Sequence, residues 1–396
     1  MKKPISRIAS AVQASATLKI DAMYKKMQAD GLDVVGFGAG EPDFPTPDNI
    51  KTAGIKAIEA NQTKYTAAAG IEPLRKAVCS QIKRDYGVEY APSQVVISSG
   101  AKHNIFIALM ALCNPGDEVI LPAPYWVTYA EAIAMAGAVP VVINTSEAEN
   151  FKLSAARLEA AANQNTKALI LNSPSNPTGM AYNREELRAI ADVCLKHGIY
   201  VIADEIYDKL LYDGLSYTSF PSLNGEIKDI TILINGVSKS YSMTGWRIGW
   251  TCANTEISKA IAAYQSHSTS APATMAQLAA LEALNGPQET VGIMLKAFEE
   301  RRDYFVKRVG EIEGVSCLKP DGAFYIFMNI RGLLGKTFYG AKVDTSADFA
   351  ALLLEKAMVA VVPCESFGID GYLRWSFATS MENIQKGMDR FERFIN

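Results

Sequence analysis

Histidine and paired cysteine are scarce in this sequence. It contains only three histidines and six cysteines, and no two cysteines form a Cys-x-x-Cys pair. No histidine stands at metal-ligand spacing, so a structural zinc site is not expected. The cysteines are far apart and predict small core residues in a reducing compartment; they are Cys79, Cys113, Cys194, Cys252, Cys317 and Cys364.

Long apolar runs are also missing. No uninterrupted apolar stretch reaches about 18 residues, so we do not expect a membrane-spanning helix. Met1-Lys2-Lys3 is a basic start, but Pro4 to Asp30 is broken by polar and charged residues and holds no apolar core of a signal peptide. We therefore expect a cytoplasmic protein.

Neither sign of charge is in excess. The formal net charge is −3, with no basic stripe that would suit nucleic acid and no basic amphipathic stretch that would suit a membrane surface. The 49% of apolar and 20% of charged residues are typical of a globular protein. A chain of 396 residues is too long for one ordinary core, so we expect a large and a small domain.

Short β-branched runs alternate with longer amphipathic stretches from about Gln94 onward. Strands that are apolar throughout and are joined by helices indicate a mainly parallel sheet covered on both faces, an α/β fold. Seven strands are predicted, at Val95–Ser98, Glu118–Leu121, Val139–Ile143, Ala168–Leu171, Tyr200–Ala203, Thr231–Ile234 and Ile248–Cys252.

The chain changes character after about Gly286. The pattern there predicts an α+β layout, which suits a second, smaller domain. We expect a large domain over 49–290 and a small domain over 1–48 and 291–396, which includes an N-terminal arm. The elements predicted in the C-terminal part are a helix over Met294–Val309, a helix near Ser346–Lys356 and strands near Val359–Pro363 and Tyr372–Phe377.

Ligands collect at the carboxyl ends of the strands in a sheet of this kind. The first predicted strand ends in Ser99-Gly100-Ala101-Lys102, a small-residue turn that opens a helix running to about Leu112. Free N–H groups at a helix N-terminus suit a phosphate. Most turns of this type only change the direction of the chain, so the residues leave both interpretations open.

Two further strand ends carry an aromatic or an amide side chain. Trp126 follows Pro122 and Pro124, and a Trp in such a turn is more often a packing residue than a cofactor platform. Asn176 lies in the stretch 172–179, which contains two Asn and two Pro. Such a composition is also typical of an ordinary loop without a binding role.

Asp204, Lys239 and Arg247 are stronger candidates. Asp204 directly follows an apolar run, where an isolated buried charge is costly and has to be compensated, although a helix N-cap is an alternative. Lys239 follows the next predicted strand along the chain, although most lysines are solvated loop residues. Arg247 stands just before another predicted strand.

Eight motifs stand in order along the chain. They are Gly38-Ala-Gly-Glu-Pro-Asp-Phe44, Lys64-Tyr65, Pro124-Tyr-Trp126, Ser173-Pro-Ser-Asn-Pro-Thr-Gly179, Asp204-Glu-Ile-Tyr207, Ser238-Lys239, Gly245-Trp-Arg-Ile-Gly249 and Arg374. In composition, order and spacing they resemble the fold type I aminotransferases of class I/II over nearly the whole chain. Within that family they are most similar to the bacterial aspartate aminotransferases of the thermophile-type subgroup, some of which also accept prephenate.

The resemblance implies pyridoxal 5'-phosphate (PLP) as cofactor and a role for each motif. Lys239 would hold the cofactor as a Schiff base and move the proton at the substrate Cα, and Asp204 would pair with the pyridine nitrogen. Arg374 would bind the substrate α-carboxylate, with the Gly40 backbone beside it. The other implied contacts are Gly100, Ala101, Ser238 and Arg247 at the phosphate, Tyr65 at the phosphate from the partner subunit of a homodimer, Tyr207 and Asn176 at the ring oxygen, and Trp126 on the ring face.

The resemblance also bears on substrate choice. The Arg that other aspartate aminotransferases direct at the substrate side chain has no counterpart in Gln265–Pro272. In the thermophile-type subgroup a Lys serves instead, and Lys102 stands at that place; the alternative is that Lys102 only adds positive charge near the phosphate. Ser15 and Thr17 match a segment that closes over the same end of the substrate. We therefore expect ping-pong transamination between aspartate and 2-oxoglutarate, with prephenate a possible further substrate.

Two alternatives remain open at the level of sequence. The first is another PLP enzyme on the same scaffold: an alanine, aromatic or kynurenine aminotransferase, or a carbon–sulfur lyase. The second is a PLP-sensing regulator that keeps the fold as a binding module. Such a regulator carries an added N-terminal DNA-binding domain, for which the first 30 residues are too few and insufficiently basic.

Overall fold

The computed structural model describes residues 3–12 and 16–396, except for the side chains of residues 7, 11, 16–19 and 21. None of the described helices is both long enough and apolar enough to cross a membrane. Numbered α1–α14 along the described residues, the α-helices are Arg7–Ala11, Ala16–Ala29, Asp48–Glu59, Glu72–Tyr86, Ala101–Leu112, Thr128–Met135, Ala155–Ala161, Arg184–His197, Gly225–Asp229, Thr255–Ser268, Thr274–Asn285, Glu289–Gly310, Ser346–Ala357 and Met381–Ile395.

The strands agree closely with the predicted runs. Most extend one or two residues beyond the prediction, whereas the last central strand begins at Gly249 instead of Ile248, because Arg247 before it turns the chain with a φ of 57°. Numbered β1–β15 along the described residues, the strands are Val35–Gly36, Val95–Ser98, Glu118–Ala123, Val139–Asn144, Thr166–Asn172, Tyr200–Asp204, Thr231–Gly236, Gly249–Cys252, Ser316–Cys317, Tyr325–Asn329, Thr337–Phe338, Ala341–Lys342, Val359–Ala360, Val362–Pro363 and Tyr372–Ser376.

A seven-stranded sheet forms the centre of the molecule, in the order β2-β8-β7-β6-β5-β3-β4. The strands from β7 to β4 in that order pair in parallel, and β8 runs antiparallel to both of its neighbours, β2 and β7. The predicted α/β fold with a seven-stranded, mostly parallel sheet is therefore confirmed.

Helices cover both faces of this sheet. This explains why the middle of β6, Val201–Ala203, is apolar at each position. Ile202 packs into a cluster with residues of α5, α6 and α10 on one face. Val201 and Ala203 pack with residues of α8 on the other face. Because successive side chains of a strand point to opposite faces, a strand covered on both sides needs apolar residues at every position.

The C-terminal part contains a second sheet, of order β14-β15-β10-β9, which is antiparallel throughout. The strand predicted over Val359–Pro363 is in fact two strands, because the chain changes partner at Val361. Before that residue β13 pairs in parallel with β1, and after it β14 pairs with β15. Phe37, directly after β1, is buried against Trp375 of β15, with ring centroids 4.9 Å apart.

Gly387→Ala tests how α14 packs on Phe37. Gly387 is buried in α14, and a Cβ added there would overlap the Phe37 ring, which is itself fully buried. We expect the free energy of unfolding, measured by urea denaturation, to fall by about 1–3 kcal/mol.

Gly292→Ala is the matched control, because Gly292 lies on the exposed side of α12 with nothing within 4 Å of an added Cβ. Since alanine favours a helix over glycine, this variant should be neutral or more stable by up to about 1 kcal/mol. Equal stabilities of the two variants would contradict the packing.

Candidate functional site

A cavity of about 470 Å³ opens at the carboxyl ends of β5, β6 and β7 and is also lined by residues of β10 and β15. This is the edge of the central sheet at which ligands collect in folds of this kind. The structure brings eleven of the sequence-predicted site residues together on the cavity wall: Gly40, Ala101, Lys102, Trp126, Asn176, Asp204, Tyr207, Ser238, Lys239, Arg247 and Arg374.

The remaining predicted residues do not line the cavity in the described chain. Gly100 lies against the Arg247 guanidinium instead. Tyr65 is 97% exposed, so it is turned to solvent in the single chain. Ser15 lies outside the described residues, and so does the side chain of Thr17, whose backbone belongs to α2.

Lys239 lies in the turn after β7 and presents its amine to the cavity. Its Nζ donates a hydrogen bond to the carbonyl oxygen of Gly40. The rings of Tyr207 and Phe324 lie on the same side, with centroids 5.9 and 5.8 Å from Nζ. The amine therefore has two aromatic rings near it, and the Gly40 carbonyl accepts its hydrogen bond.

The surroundings of Lys239 make its amine easier to deprotonate. Burial lowers the pKa of Lys239 to about 8, because the charged form is poorly solvated. Arg247 and Arg374 lower this pKa further, while Glu41 and Asp204 act in the opposite direction. A lysine with these properties can serve as a nucleophile or a base close to neutral pH.

Asp204 is the last residue of β6 and is only 3% exposed. Its Oδ2 accepts a hydrogen bond from the Tyr129 hydroxyl at 2.6 Å, and its Oδ1 accepts one from the Ile206 N–H at 3.3 Å. Burial raises the pKa of Asp204 to about 6 in spite of these bonds. The N-cap alternative does not hold, because a turn and no helix follows β6. A cationic ring N–H placed at this carboxylate would supply the compensation that its burial requires.

The N-terminus of α5 forms the end of the cavity that is suited to binding an anion. Gly100 precedes the helix with a φ of 86°, and its own N–H donates to the Ser98 carbonyl at 2.7 Å. The N–H groups of Ala101 and Lys102 have no hydrogen-bond partner within the described residues. These two amides, and not that of Gly100, are therefore the ones available to an anion.

Arg247 closes the same end of the cavity. Its guanidinium donates to the Thr244 carbonyl at 2.7 Å and to the Ser99 carbonyl at 3.3 Å. A Cβ on Gly100 would overlap this guanidinium, so the close approach requires glycine. Ser238 is buried beside it on the cavity wall. A guanidinium, a hydroxyl and two free amides together suit a phosphate group.

Arg374 of β15 lines a second end of the cavity, formed with Gly38 and Asn176, and is only 2% exposed. Its guanidinium donates to Asn176 Oδ1 at 3.0 Å and to the Gly38 carbonyl at 2.8 Å, and it lies 4.5 Å from the Tyr325 ring centroid. Its Nε is buried without a hydrogen-bond partner. Because this guanidinium has no carboxylate partner among the described residues, it is suited to binding one from a ligand.

Lys102, in the first turn of α5, and Trp126 also line the cavity. The Lys102 Nζ is 5.0 Å from the Trp126 ring centroid. Burial, followed by the nearby Arg247, lowers the pKa of Lys102. No carboxylate pairs with this ammonium in the part of the chain that the structure describes. A second acidic group of a ligand could therefore pair with it.

Sequence reasoning missed several residues of the site. Tyr129 lies three residues after Trp126, and only its contact with Asp204 shows that it belongs to the site. Tyr325, whose hydroxyl is 2.9 Å from that of Tyr207, stands within an apolar run that gave no sign of it. Glu41 and Thr244 lie within or beside motifs that were already singled out. The cavity-lining residues not predicted are Lys25, Gly38, Ala39, Glu41, Tyr129, Asn172, Ile206, Thr244 and Tyr325.

The charges on the wall determine what the cavity can bind. Five cations, on Lys25, Lys102, Lys239, Arg247 and Arg374, line the cavity together with two acids, Asp204 and Glu41. Within residues 3–12 and 16–396, no group of three His, Cys, Asp or Glu side chains is arranged to hold a metal ion. The cavity thus suits a ligand with more than one negative charge, and Lys239 supplies its reactive amine.

Comparison with known proteins agrees with this geometry. Residues 32–391 match the family described as aminotransferase class I and II. The chain is 45% identical over 395 residues to the aspartate aminotransferase of Bacillus sp. strain YM-2, covering 100% of both chains. It is 44% identical to the aspartate/prephenate aminotransferase of Cereibacter sphaeroides, covering 97% of this chain and 96% of that one.

A solved structure leads to the same family. The crystal structure of the aspartate aminotransferase from Rhizobium meliloti superposes with a TM-score of 0.95 at 40% identity, covering 100% of this chain and 99% of the other. The match thus extends along the chain in sequence as well as in fold. The chain belongs to the family of class I and II aminotransferases.

Proposed function

We propose that this enzyme is a PLP-dependent aminotransferase that exchanges the amino group between aspartate and 2-oxoglutarate by a ping-pong mechanism. The observation that carries the proposal is the convergence of Lys239, Asp204, Arg247 and Arg374 on one cavity. Relatives named aspartate aminotransferase, similar over the full chain, support the choice of substrate.

The residues on the wall fit the cofactor. When bound, pyridoxal phosphate supplies an electron sink for chemistry at the amino-acid Cα. Asp204 would hold its ring nitrogen in the protonated form, and the buried Asp204 carboxylate would gain the cation that it lacks. Trp126 would lie on the ring face, and Tyr207 and Asn176 would reach the ring oxygen. The Ala101 and Lys102 amides, Ser238 and Arg247 would hold the phosphate, with Gly100 leaving room for Arg247.

Lys239 would hold the cofactor covalently and then move the proton at the substrate Cα. A base has to be neutral to accept a proton, and the pKa of about 8 decides how much neutral amine exists. At pH 7 about 10% of such amines are neutral, against about 0.03% for a lysine with an unperturbed pKa. Burial therefore increases the amount of active base by about 300-fold.

Arg374 would bind the α-carboxylate of the substrate. A guanidinium has five N–H donors, and two hydrogen bonds are already made to Asn176 and Gly38. The remaining donors include the buried Nε, so a bidentate contact with a carboxylate is available. The bond to Asn176 holds the guanidinium in one plane, and the Gly40 backbone borders the same space.

Lys102 would bind the side-chain carboxylate of the substrate. Unlike Arg247 and Arg374, its side chain holds no backbone carbonyl among the described residues, and unlike Lys239 it does not stand at the position of the reactive amine. Ser15 and Thr17 would close over this end of the substrate.

We also propose that the substrate range extends to prephenate. The name of the Cereibacter sphaeroides relative, aspartate/prephenate aminotransferase, supports this.

A homodimer would complete the site. The 97% exposure of Tyr65 in the single chain is compatible with a role in the partner subunit, where it would reach the phosphate.

We also propose a large domain over 49–290 and a small domain over 1–48 and 291–396. Two hydrophobic clusters that lie wholly within 49–290, and the β1–β13 pairing that joins the two parts of the small domain, support this division. Six free cysteines support a reducing, cytoplasmic location.

Substrate choice is tested by a panel of half-reactions on the purified protein. We expect aspartate to give the highest kcat/KM among aspartate, alanine, phenylalanine and cystathionine, because only aspartate offers a second carboxylate to Lys102. The acceptors 2-oxoglutarate and prephenate are compared in the same assay. A clear preference for alanine or phenylalanine, or cleavage of cystathionine, would assign the chain to another reaction of the same cofactor.

Lys239→Ala tests the reactive amine. The side chain lies on a cavity wall, so the variant should fold and keep the melting temperature of the parent within a few degrees. We expect it to lose the visible absorbance of the bound cofactor, and turnover should fall by at least about a thousandfold. Lys307→Ala on the exposed surface of α12, where the side chain is 75% exposed, is the matched control. Turnover retained by the Lys239 variant would exclude this assignment.

Lys102→Ala tests recognition of the side-chain carboxylate. We expect KM for aspartate to rise by about 10- to 100-fold, the effect of losing one charge-assisted contact of about 1.5–3 kcal/mol. KM for phenylalanine should change by less than about threefold, since it has no second carboxylate. An equal rise for both amino acids would mean that Lys102 acts on the cofactor phosphate.

A further inference from the structure

Glu41 connects the two ends of the cavity. Its Oε2 accepts a hydrogen bond of 2.7 Å from the Thr244 hydroxyl, and both residues line the cavity. Thr244 belongs to the anion-binding end, because its carbonyl holds the Arg247 guanidinium. Glu41 directly follows Gly40 in the segment that borders the Arg374 end. One hydrogen bond thus joins the substrate end to the phosphate end.

The segment that carries Glu41 is fixed to the C-terminal part of the molecule. The Phe37 N–H donates to Ala360, and the Phe37 carbonyl accepts from the Ser376 N–H, both at 2.8 Å. Asp43 forms an ion pair with Arg301 at 2.8 Å. The backbone on either side of Glu41 is therefore held in place, and the carboxylate of Glu41 has a defined position relative to the cavity.

A second contact joins the same two segments farther along the chain. The Thr46 hydroxyl donates to the Ser242 carbonyl at 2.6 Å and accepts from the Trp246 Nε1 at 3.1 Å. Because this contact does not involve Glu41, a change at Glu41 leaves the two segments attached. Variants at Glu41 should therefore fold normally.

Glu41 also matters for the charge of Lys239. The groups that face the Lys239 amine are Glu41, Arg247, Arg374, Asp204 and the ring of Tyr207. Among the charged groups Glu41 has the largest effect, and its effect opposes that of the two guanidinium groups. Moreover, the amine donates its hydrogen bond to the residue directly before Glu41.

We propose that Glu41 is a positioning residue for Lys239: its hydrogen bond from Thr244 fixes the Gly40 carbonyl against the amine, and its negative charge opposes Arg247 and Arg374. The Glu41 carboxylate thereby controls the pH at which the amine becomes a base. This inference rests on the proposed function only for its catalytic meaning. The hydrogen bonds from Lys239 to Gly40 and from Thr244 to Glu41 are present independently of any reaction.

Competitive acylation of the full-length protein, with the modified peptides quantified by mass spectrometry, titrates the Lys239 amine directly. The protein is first treated to release any ligand from the amine. Glu41→Gln removes the charge and keeps an acceptor for Thr244. Because Glu41 favours the protonated amine, this variant should lower the Lys239 titration midpoint by about 0.2 to 0.7 pH unit, the range of one partly solvated charge pair. Thr244→Val should lower it by less, since the charge stays but is no longer fixed.

Asp43→Asn is the matched control. It removes one negative charge from the same segment, but that charge is paired with Arg301 and does not line the cavity. Its midpoint should equal that of the parent protein. An unchanged midpoint in Glu41→Gln, or the same change in Glu41→Gln and Asp43→Asn, would overturn the inference.

The pH profile of kcat for aspartate provides the link to catalysis, because the Lys239 amine would be free to act as a base only once the substrate is bound. We expect the acidic limb of Glu41→Gln to move to lower pH by the same amount as the titration midpoint, and Asp43→Asn to leave it in place. If the parent protein showed no aspartate turnover, the proposed function would fail while the acylation result would still decide the role of Glu41. Normal turnover with an unchanged midpoint would overturn only the role of Glu41.

Discussion

The parallel register of β5, β6 and β7 is the constraint on which the whole site depends. Asn172 stands opposite Asp204 in one pair, and Asp204 stands opposite Ile234 in the next. Parallel strands send their carboxyl ends to the same edge, so residues from three separate crossings of the chain meet there. The Asn172 side chain then donates to the Asp204 backbone at 2.9 Å and fixes the edge. A slip of one residue would turn Asp204 to the other face of the sheet.

Local patterns were enough to locate that edge. The central strands could be predicted because a strand covered on both faces is apolar along its middle, as β6 is over Val201–Ala203 and β7 over Ile232–Ile234. Asp204 and Lys239 could be singled out because each breaks such a run where it ends. The first residue of β8 could not be predicted, since the left-handed conformation of Arg247 follows from its contacts with Thr244 and Ser99.

Residues whose importance comes from distant contacts escaped prediction. Tyr129 matters because it reaches Asp204, 75 positions away, and Tyr325 because it reaches Tyr207, 118 positions away. No periodicity or motif in a single sequence indicates a contact between residues so far apart in the chain. Similarly, the strand predicted over 359–363 could not be divided from sequence, because each half is apolar and the two halves differ only in the partner that they meet.

The same physical cause acts in opposite directions on the two central groups. Burial raises the pKa of Asp204 to about 6 and lowers that of Lys239 to about 8, because it disfavours whichever form is charged. Their usual values of 3.8 and 10.5 differ by 6.7, whereas those in the site differ by about 2. Both groups therefore titrate close to neutral pH, and charges nearby have a large influence on their protonation.

Arg374 shows how the site is linked to the stability of the protein. A guanidinium that is 2% exposed and has only carbonyl and aromatic partners among the described residues has lost most of its hydration without gaining a counter-ion. This arrangement costs folding free energy, and an anion that binds here offsets part of the cost. A carboxylate that binds only the native state stabilises that state. The free-energy cost of burying Arg374 therefore favours binding of a carboxylate.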